Sequence, residues 1–293
     1  MSEIRYPYRT FRFEVEIDGV TYEQKMDVTS LLMIGIDKAS TDEIKGYRDG
    51  GQSDFLLLLV LDHKNKTIRQ LQIDRDTMTS VNVLGLFGNN AGSRVMQICL
   101  SHGYGMDRQE RCQNSLRAVE GLLNCPEIEL YMEVPLDAIS TLNDLLGGVT
   151  VTLEDDFTAA DPAMTKGVTL TLTGEQAVTL VRRRMDVADG TNETRMTRQR
   201  EFMDAAVPLI REKINESSGF ITTMIDTLTP YVTTNMVRGR MINEINRAYH
   251  YEVEPVQYLS GEHSIGEDGF VEFHADEQSI VDFVLDAFYT KKE

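Results

Sequence analysis

Residues 54–62 read DFLLLLVLD, and their seven central residues form the longest apolar run of this 293-residue chain. A continuous apolar run between polar turns is typical of a strand buried on both faces of a sheet. The segment SLLMIGID (30–37) has the same character, and KTIRQLQIDRD (66–76) predicts a third strand that ends in charged residues. Since a membrane-spanning helix needs roughly 20 apolar residues, the run is too short to cross a bilayer. These segments predict the central sheet of a soluble domain.

The sequence on either side of these strands predicts a hairpin and several helices. FRFEVEIDGVTYEQ (11–24) alternates apolar and polar residues around an Asp-Gly turn, which is a hairpin signal. A helix is expected over 107–124, with Asp107 as its N-cap, and another over 136–148, ending in glycine. Strands are expected over 127–135 and 149–155.

The second half of the chain is dominated by helical patterns. Thr173 and Gln176 have the spacing of a capping box at a helix start. A helix from about Thr194 follows, and Pro208 should kink or end it. Further helical patterns run from about 218 to 250, and a short strand and a helix close the chain.

Strands and helices alternate without a linker, a repeat or a low-complexity tract. This order predicts an α/β fold: a single α-β-α sandwich domain with a central mixed sheet, helices on both faces and a small N-terminal β-hairpin. We expect residues 1–29 to form the hairpin and lead-in segment, and residues 30–293 to form one compact catalytic unit.

The composition excludes some classes of protein. With 29 basic and 47 acidic residues the net charge is -18, which argues against a general nucleic-acid binder. The three cysteines form no CxxC pair, and the five histidines show no zinc spacing. The first ten residues lack the apolar stretch of a signal peptide.

Against this acidic background, residues 181–200 (VRRRMDVADGTNETRMTRQR) hold six arginines. Such a cluster needs a nearby anion, which can be a solvated carboxylate face or a bound ligand. If the chain leaves a helix near Val181, Arg182 and Arg184 point to one side and Arg183 to the other. Farther along, Arg195, Arg198 and Gln199 have the i, i+3, i+4 spacing of a single helical face.

The expected helix start near Thr194 adds free N–H groups and a dipole that suit a phosphate. The pattern leaves two interpretations open, a solvated charged face and an anion site. No serine-histidine-aspartate order, P-loop or GxGxxG motif is present in the sequence. Chemistry without an obvious nucleophile fits phosphoryl transfer, in which positioning and charge stabilisation supply most of the rate.

Charged residues also occur at the ends of the predicted strands. Asp54 leads into one strand, while Arg75 and Asp76 follow another. The two carboxylates are either turn residues or oxygen ligands for a hard cation such as magnesium. Arg75 either pairs with a neighbouring aspartate or clamps a phosphate with both arms of its guanidinium group.

Six segments, in this order, resemble the LytR-CpsA-Psr family of cell-envelope proteins. They are GGQSDFLLLLVLD, QIDRDTM, LSHGYG, LNDLLGGVTVTLEDDF, LTGEQAVTLVRRR and RMTRQR. The resemblance runs from about Leu31 to Leu209 and continues more loosely to the C-terminus. Each segment is weak by itself, but the ordered set is specific.

The resemblance implies a phosphotransferase of cell wall biogenesis at the extracytoplasmic face of the membrane, with Mg²⁺ (or Mn²⁺) as cofactor. Its substrates would be a polyprenyl-pyrophosphate-linked glycopolymer, such as teichoic acid or capsular polysaccharide, and an acceptor hydroxyl of peptidoglycan or another wall glycan. It also implies an apolar tunnel for the lipid and an N-terminal membrane helix, whose absence suggests that Met1 begins a trimmed chain. A hydrolase of lipid-linked precursors and a non-catalytic binder of them are the alternatives.

The resemblance also assigns residues by motif. Asp54 and Asp76 would hold the metal, and the catalytic set would be Arg75, Asp76, Arg182 and Arg184. The pyrophosphate contacts would be Arg195, Arg198, Gln199, Gln52 and Asn192.

Two positions depart from the family pattern. Gln52 stands where many members have the arginine of RSD, so that one pyrophosphate contact is missing or comes from Arg48. Asn192 stands where the family often has an aspartate. The general base is then Asp186, Asp189 or neither.

Overall fold

The fold is known from a computed structural model, which describes residues 14–40, 46–184 and 187–292. The strands are β1 (Glu14–Ile17), β2 (Val20–Gln24), β3 (Val28–Ile36), β4 (Ser53–Asp62), β5 (Thr67–Ile73), β6 (Met78–Leu84), β7 (Asn90–Gln97), β8 (Leu130–Val134), β9 (Thr150–Thr152), β10 (Thr169–Thr171), β11 (Thr233–Thr234), β12 (Glu252–Gln257), β13 (Gly261–Ile265), β14 (Val271–Ala275) and β15 (Tyr289–Lys291). The helices are α1 (Arg108–Leu123), α2 (Leu136–Leu146), α3 (Gly174–Arg182), α4 (Asn192–Glu216), α5 (Phe220–Leu228), α6 (Arg238–Ala248) and α7 (Glu277–Phe288), with a 3-10 helix at Ile98–Gly103.

The central sheet has six strands in the order β11-β8-β3-β4-β5-β12. It is mixed, because β3 pairs parallel with β8 and β5 with β12, while β4 is antiparallel to both of its neighbours. The predicted strand 54–62 is β4, in the middle of the sheet. Leu56, Leu57 and Leu58 are at most 1% exposed, so successive side chains are buried on both faces as the apolar run predicts.

Helices cover both faces of this sheet, which confirms the predicted sandwich. On one face, Leu32 and Ile34 of β3 share a core with Val119 of α1 and Phe283 of α7. On the other face, Leu31 packs against the core of α5 and α6. The alternation along β3 therefore divides the apolar residues between two helical layers.

The N-terminal hairpin is also present. β1 and β2 pair antiparallel around Asp18 and Gly19, whose φ angles of 51° and 74° are those of a two-residue hairpin turn. Predicted residues 11–13 lie outside the described residues. β15 pairs with β2, so the lead-in segment forms a three-stranded sheet with the end of the chain. The division at residue 29 stays a prediction.

Most predicted helices occur, with one correction. α4 does not end at Pro208 and continues to Glu216. The alternative that the helix ends there is wrong because burial outweighs the hydrogen bond that proline removes: Phe202 and Ala206 are buried before Pro208, and Ile214 after it. A kink at Pro208 stays a prediction. The hairpins β6–β7 and β13–β14 were not predicted. None of the helices in the described part of the chain combines the length and the hydropathy that a membrane crossing requires.

Candidate functional site

The strand ends bring Asp54 and Arg75 together. Leu56 of β4 lies opposite Ile73 of β5, so the start of β4 and the end of β5 share one edge of the sheet. Nη1 of Arg75 donates to Oδ1 of Asp54. Nη1 of Arg195 donates to the other oxygen, Oδ2, at 2.7 Å. The carboxylate of Asp54 is therefore held between two guanidinium groups.

The start of α4 supplies Arg195 to this group. Thr191 is the N-cap, and its hydroxyl accepts from the backbone N–H of Thr194 at 3.3 Å. Asp189 accepts from the backbone N–H of Thr191 at 2.9 Å, which braces the cap. The sequence therefore begins the helix in the register that turns Arg195 into the protein, where it is 3% exposed.

Asn192 connects Arg195 to the end of β5. Its Oδ1 accepts from Nη2 of Arg195 at 2.6 Å, and its Nδ2 donates to Oδ1 of Asp74 at 2.8 Å. Asn192 is itself buried. This predicted site residue therefore orients an arginine.

Arg198 and Gln199 share the buried face with Arg195, as the helical spacing predicts, but they hold the end of α3. Arg198 donates to Oδ2 of Asp155 at 2.9 Å and to the carbonyl of Arg183, and its guanidinium lies 5.4 Å from the ring centroid of Phe157. Gln199 donates to the carbonyl of Val181 at 3.2 Å. Arg198 is thus adjacent to the Asp54 group without binding its carboxylate.

Arg182 and Arg184, predicted to act as a pair, lie in different surroundings. Arg182 is exposed on the last turn of α3, and among the described residues it takes no part in the hydrogen bonds around Asp54. Arg184 is half-buried, and its charge acts on the pKa values of both Asp76 and Arg195. The helix ends at Arg182 and the chain is extended at Arg183. Of Arg182 and Arg184, only Arg184 therefore comes near Asp76 and Arg195. The catalytic roles of both arginines stay predictions.

Asp76 is the second carboxylate of the site. It is buried, and its Oδ1 lies 3.4 Å from Nε of Arg75. Burial raises the pKa of Asp76 and the nearby Asp74 adds to the increase, while Arg75, Arg184 and Arg195 oppose it. Asp54 and Asp76 therefore approach the same guanidinium from two sides.

Three arginines of the site have an unsatisfied donor. The Nε atoms of Arg75, Arg195 and Arg198 are buried, and none has a hydrogen-bond acceptor among the described residues. The 3.4 Å contact between Arg75 and Asp76 is an ion pair without hydrogen-bond geometry. Buried donors are nearly always paired in folded proteins, so the unpaired Nε atoms of Arg75 and Arg195, the two arginines that bind the Asp54 carboxylate, indicate an anion-binding site.

Asp54 and Asp76 fit a magnesium ion by their chemistry. Both offer carboxylate oxygens, the ligands that Mg²⁺ prefers, and Mg²⁺ commonly takes one or two carboxylates and completes its shell with water and phosphate. Each oxygen of Asp54 accepts one arginine hydrogen bond and keeps a second lone pair. The donor set is therefore suited to the ion.

The first departure from the family pattern is Gln52 in place of the arginine of RSD, with Arg48 as a possible substitute. Oε1 of Gln52 accepts from Nη2 of Arg75, so this residue also orients an arginine. Arg48 is exposed, and its Nε donates to the carbonyl of Leu84 at 2.8 Å. Arg48 is therefore bound to the end of β6, and its contact with the pyrophosphate stays a prediction.

One of the two candidates for the general base, Asp189, lies in a site that disfavours its protonation. Asp189 accepts hydrogen bonds from the backbone and hydroxyl of Thr191 and from the hydroxyl of Thr194, and these lower its pKa to about 2. Such a weakly basic carboxylate serves the helix cap and is a poor proton acceptor. Asp186 lies outside the described residues.

Sequence reasoning missed a buried cluster behind the site. Oε2 of Glu133 accepts from Nε2 of His102 at 2.9 Å, and its Oε1 accepts from Arg108 at 2.8 Å. Nδ1 of His102 lies 3.0 Å from the carbonyl of Gly50, in the loop that leads to Asp54. The available signal was the single carboxylate in LYMEV, an otherwise apolar strand.

This cluster brings together three side chains of the types that bind metals. The ligand atoms of His102, Cys112 and Glu133 lie within 4.8 Å of one another, and all three residues are buried. Burial raises the pKa of the Cys112 thiol, and the charge and hydrogen bond of Glu133 add to the increase, so the thiol stays protonated. Through the contact between Nδ1 of His102 and the carbonyl of Gly50, the cluster fixes the loop before Asp54.

An apolar cavity of about 220 Å³ lies between the second face of the sheet and the helices α5 and α6. Its walls include Leu31 and Met132 from the sheet and Met224, Met241 and Ile245 from the helices. The cavity belongs to the same helical layer as the second half of α4, because Ile210 and Ile214 pack in the core of that layer.

Comparisons with known proteins agree with this fold and these motifs. The sequence model described as the LytR_cpsA_psr family matches residues 8–284. The polyisoprenyl-teichoic acid–peptidoglycan teichoic acid transferase TagU of Bacillus mycoides (strain KBAB4) is 28% identical over 222 residues, which are 75% of this chain and 64% of TagU. The match thus spans less than two thirds of that relative's length.

Two solved structures are similar. Protein gbs0355 from Streptococcus agalactiae is 20% identical with a TM-score of 0.73, and the match covers 89% of this chain and 86% of gbs0355. TagV of B. subtilis is 22% identical with a TM-score of 0.66, covering 90% of this chain and 98% of TagV. At these identities the structures show a shared fold.

Proposed function

The chain belongs to the LytR-CpsA-Psr family, and from that premise we propose that it is a phosphotransferase. It moves a glycopolymer 1-phosphate from a polyprenyl-pyrophosphate carrier to a hydroxyl of peptidoglycan or another wall glycan. The name of the TagU relative describes a transfer of this kind for teichoic acid. The single observation that carries the proposal is that the buried Nε donors of Arg75 and Arg195 have no acceptor among the described residues.

The site residues fit such a transfer. The acceptor oxygen attacks the phosphorus next to the sugar, its proton passes to a base, and the bond from that phosphorus to the bridging oxygen breaks to release polyprenyl phosphate. Arg75, Arg184 and Arg195 surround the place where the pyrophosphate would lie, and their charges would stabilise the negative charge that develops on it. Arg198, Gln52, Gln199 and Asn192 hold those arginines and the end of α3 in place.

Asp54 accepts hydrogen bonds from Arg75 and Arg195, two of the arginines that would bind the pyrophosphate. We propose that Asp54 and Asp76 hold Mg²⁺ (or Mn²⁺) when the donor binds, because both carboxylates already lie against Arg75. The ion would neutralise phosphate charge and orient the donor.

The apolar cavity supports a lipid-linked donor. Its lining is aliphatic and rich in methionine, a flexible side chain that adapts to ligands. At about 220 Å³ it is smaller than the 300–1,000 Å³ typical of small-molecule sites, so a prenyl chain would need α5 and α6 to move apart. Since the donor is membrane-bound, we propose that the reaction takes place at the extracytoplasmic face of the membrane. We also propose that an N-terminal segment anchors the protein there.

Transfer can be separated from the two alternatives with a short-chain prenyl pyrophosphate that carries a labelled glycan. With peptidoglycan present, a transferase forms a labelled phosphodiester product. A hydrolase releases the same amount of label with and without acceptor, and a binder retains the donor unchanged in the presence of magnesium. Loss of product formation in Arg75→Ala would assign the reaction to this site.

A further inference from the structure

A long groove leads away from the arginine site along one side of α4. It begins as a recess of about 520 Å³ between the first turns of α4, the end of β5 and the segment 258–261. A second recess of about 450 Å³ lies between α4 and β12, and a third of about 620 Å³ lies along the last turns of α4. Arg200 lines the first two, and Pro208 and Arg211 line the second and third. We call these joined recesses the α4 groove.

The length of the α4 groove suits a polymer. It extends from Glu193 to Glu216, and at 1.5 Å per helical residue this is about 35 Å. Its first recess meets the site at Asp74, whose Oδ1 accepts from Asn192, the residue that holds Arg195. A chain lying in the groove would therefore present one end to the arginine group.

The surfaces of the first recess match a sugar. Tyr258 is 41% exposed, its hydroxyl donates to Oε1 of Gln72 at 3.4 Å, and it accepts from Arg200 at 3.3 Å. The guanidinium of Arg200 lies 6.0 Å from the ring centroid. An aromatic ring bordered by planar amide and guanidinium groups offers an apolar face and hydroxyl-binding groups together. Gln70, on the same face of β5 as Gln72, continues this polar lining into the second recess.

The charge of the groove selects between the two substrates. Its lining holds two arginines and one histidine against six carboxylates, namely Asp74, Glu193, Asp204, Glu212, Glu216 and Glu254. Neighbouring carboxylates would repel a phosphate-rich donor polymer within a Debye length of about 8–10 Å. An uncharged glycan strand meets no such repulsion.

We infer that the α4 groove binds the acceptor, an uncharged glycan strand, and delivers one of its sugar hydroxyls to the arginine site. The inference rests on the proposed function and adds where the acceptor lies. The prenyl chain of the donor would lie in the apolar cavity between β8, α5 and α6, which shares no lining residue with the α4 groove. Tyr258 is the residue on which the acceptor sugar nearest the site would rest.

The test measures acceptor and donor separately in the full chain. Transfer from a labelled short-chain donor is followed at increasing concentrations of soluble, uncharged strands of β-1,4-linked N-acetylglucosamine. For Tyr258→Ala we expect the KM for the strands to rise roughly tenfold with kcat within twofold, and Tyr258→Phe to recover most of the loss. Phe87→Ala, an aromatic residue that is 88% exposed in the turn between β6 and β7, is the matched control and should leave both constants unchanged.

Other outcomes would overturn the inference. An unchanged KM for the strands in Tyr258→Ala places the acceptor elsewhere, and a raised KM for the donor alone assigns the groove to the donor polymer. Should Tyr258→Ala fail to fold, Thr197→Trp fills the first recess from the surface of α4 and makes the same prediction.

Direct binding of the strands by calorimetry separates this inference from the proposed function. If the wild type shows no transfer but binds the strands and Tyr258→Ala does not, the proposed reaction fails while the groove assignment stands. If neither protein binds the strands, the groove assignment fails.

Discussion

Replacing Glu133 with glutamine tests how the cluster behind the site supports it. The carboxylate is 0% exposed, and it accepts from His102 at 2.9 Å and from Arg108 at 2.8 Å. Removing one partner of a buried ion pair costs about 3–5 kcal/mol. We expect about 3 kcal/mol, the lower limit, because the Arg108 side chain is 24% exposed and can recover water.

This magnitude converts to a melting temperature. An unfolding entropy of about 2.1 cal/mol/K per residue over 293 residues gives about 0.6 kcal/mol per degree, so we expect the melting temperature to fall by about 5 °C. The measurement is calorimetric unfolding at pH 7. Glu129→Gln is the control, since Glu129 lies in an exposed ion pair with Arg240 and should cost less than about 1 kcal/mol.

The difference in melting temperature between the wild type and Glu133→Gln should also depend on pH. Burial raises the pKa of Glu133, but the hydrogen bond and charge of His102 and the charge of Arg108 outweigh it, so the net pKa is lowered. The stabilisation is therefore complete above the unfolded pKa of about 4.3 and is lost as the pH falls through the lower folded value. A melting temperature within 1 °C of the wild type at pH 7, or a gap that stays constant down to pH 3, would refute this reasoning.

Three further predictions concern the site. Gly50→Ala places a Cβ 2.2 Å from the His102 carbonyl oxygen, so we expect the free energy of unfolding in a urea titration to fall by about 1–3 kcal/mol. Gly121→Ala is the control, because its Cβ would meet open space in α1, and it should raise the same free energy by about 0.5–1 kcal/mol. Arg184→Ala should reduce the transfer rate more than Arg182→Ala, because only Arg184 is near Asp76; equal losses in steady-state kinetics would contradict this. Chelation of divalent cations should abolish transfer and leave the melting temperature of the unliganded protein unchanged, and full activity in excess chelator would exclude the metal.

Local patterns in the sequence predicted much of this fold. The apolar run at 54–62 is the central strand, because burial on both faces leaves no place for polar side chains. The helical spacing also placed Arg195, Arg198 and Gln199 on one buried face. In both cases the signal lies within one element, where the period of the backbone decides which residues share a side.

The partners of these residues could not be predicted, because they come from distant segments. Arg198 binds Asp155, 43 residues away, and His102 binds Glu133, 31 residues away. Arg182 was grouped with Arg184 on the assumption that the chain leaves the helix near Val181, whereas α3 includes Arg182. A shift of one residue at a helix end changes which side chain faces the site, and helix ends are the least certain part of a sequence-based prediction.

The central claim is that the buried guanidinium N–H groups without an acceptor in the described part of the chain, such as Nε of Arg195, bind pyrophosphate. Calorimetric titration of a short-chain prenyl pyrophosphate, with magnesium present, tests it most directly in Arg195→Lys, which keeps the charge and removes the guanidinium. Charge-assisted hydrogen bonds contribute about 1.5–3 kcal/mol, so Kd should rise roughly 10- to 150-fold. Arg238→Lys, in an exposed ion pair on α6, should bind as the wild type does. Equal affinity of Arg195→Lys and the wild type would contradict the claim.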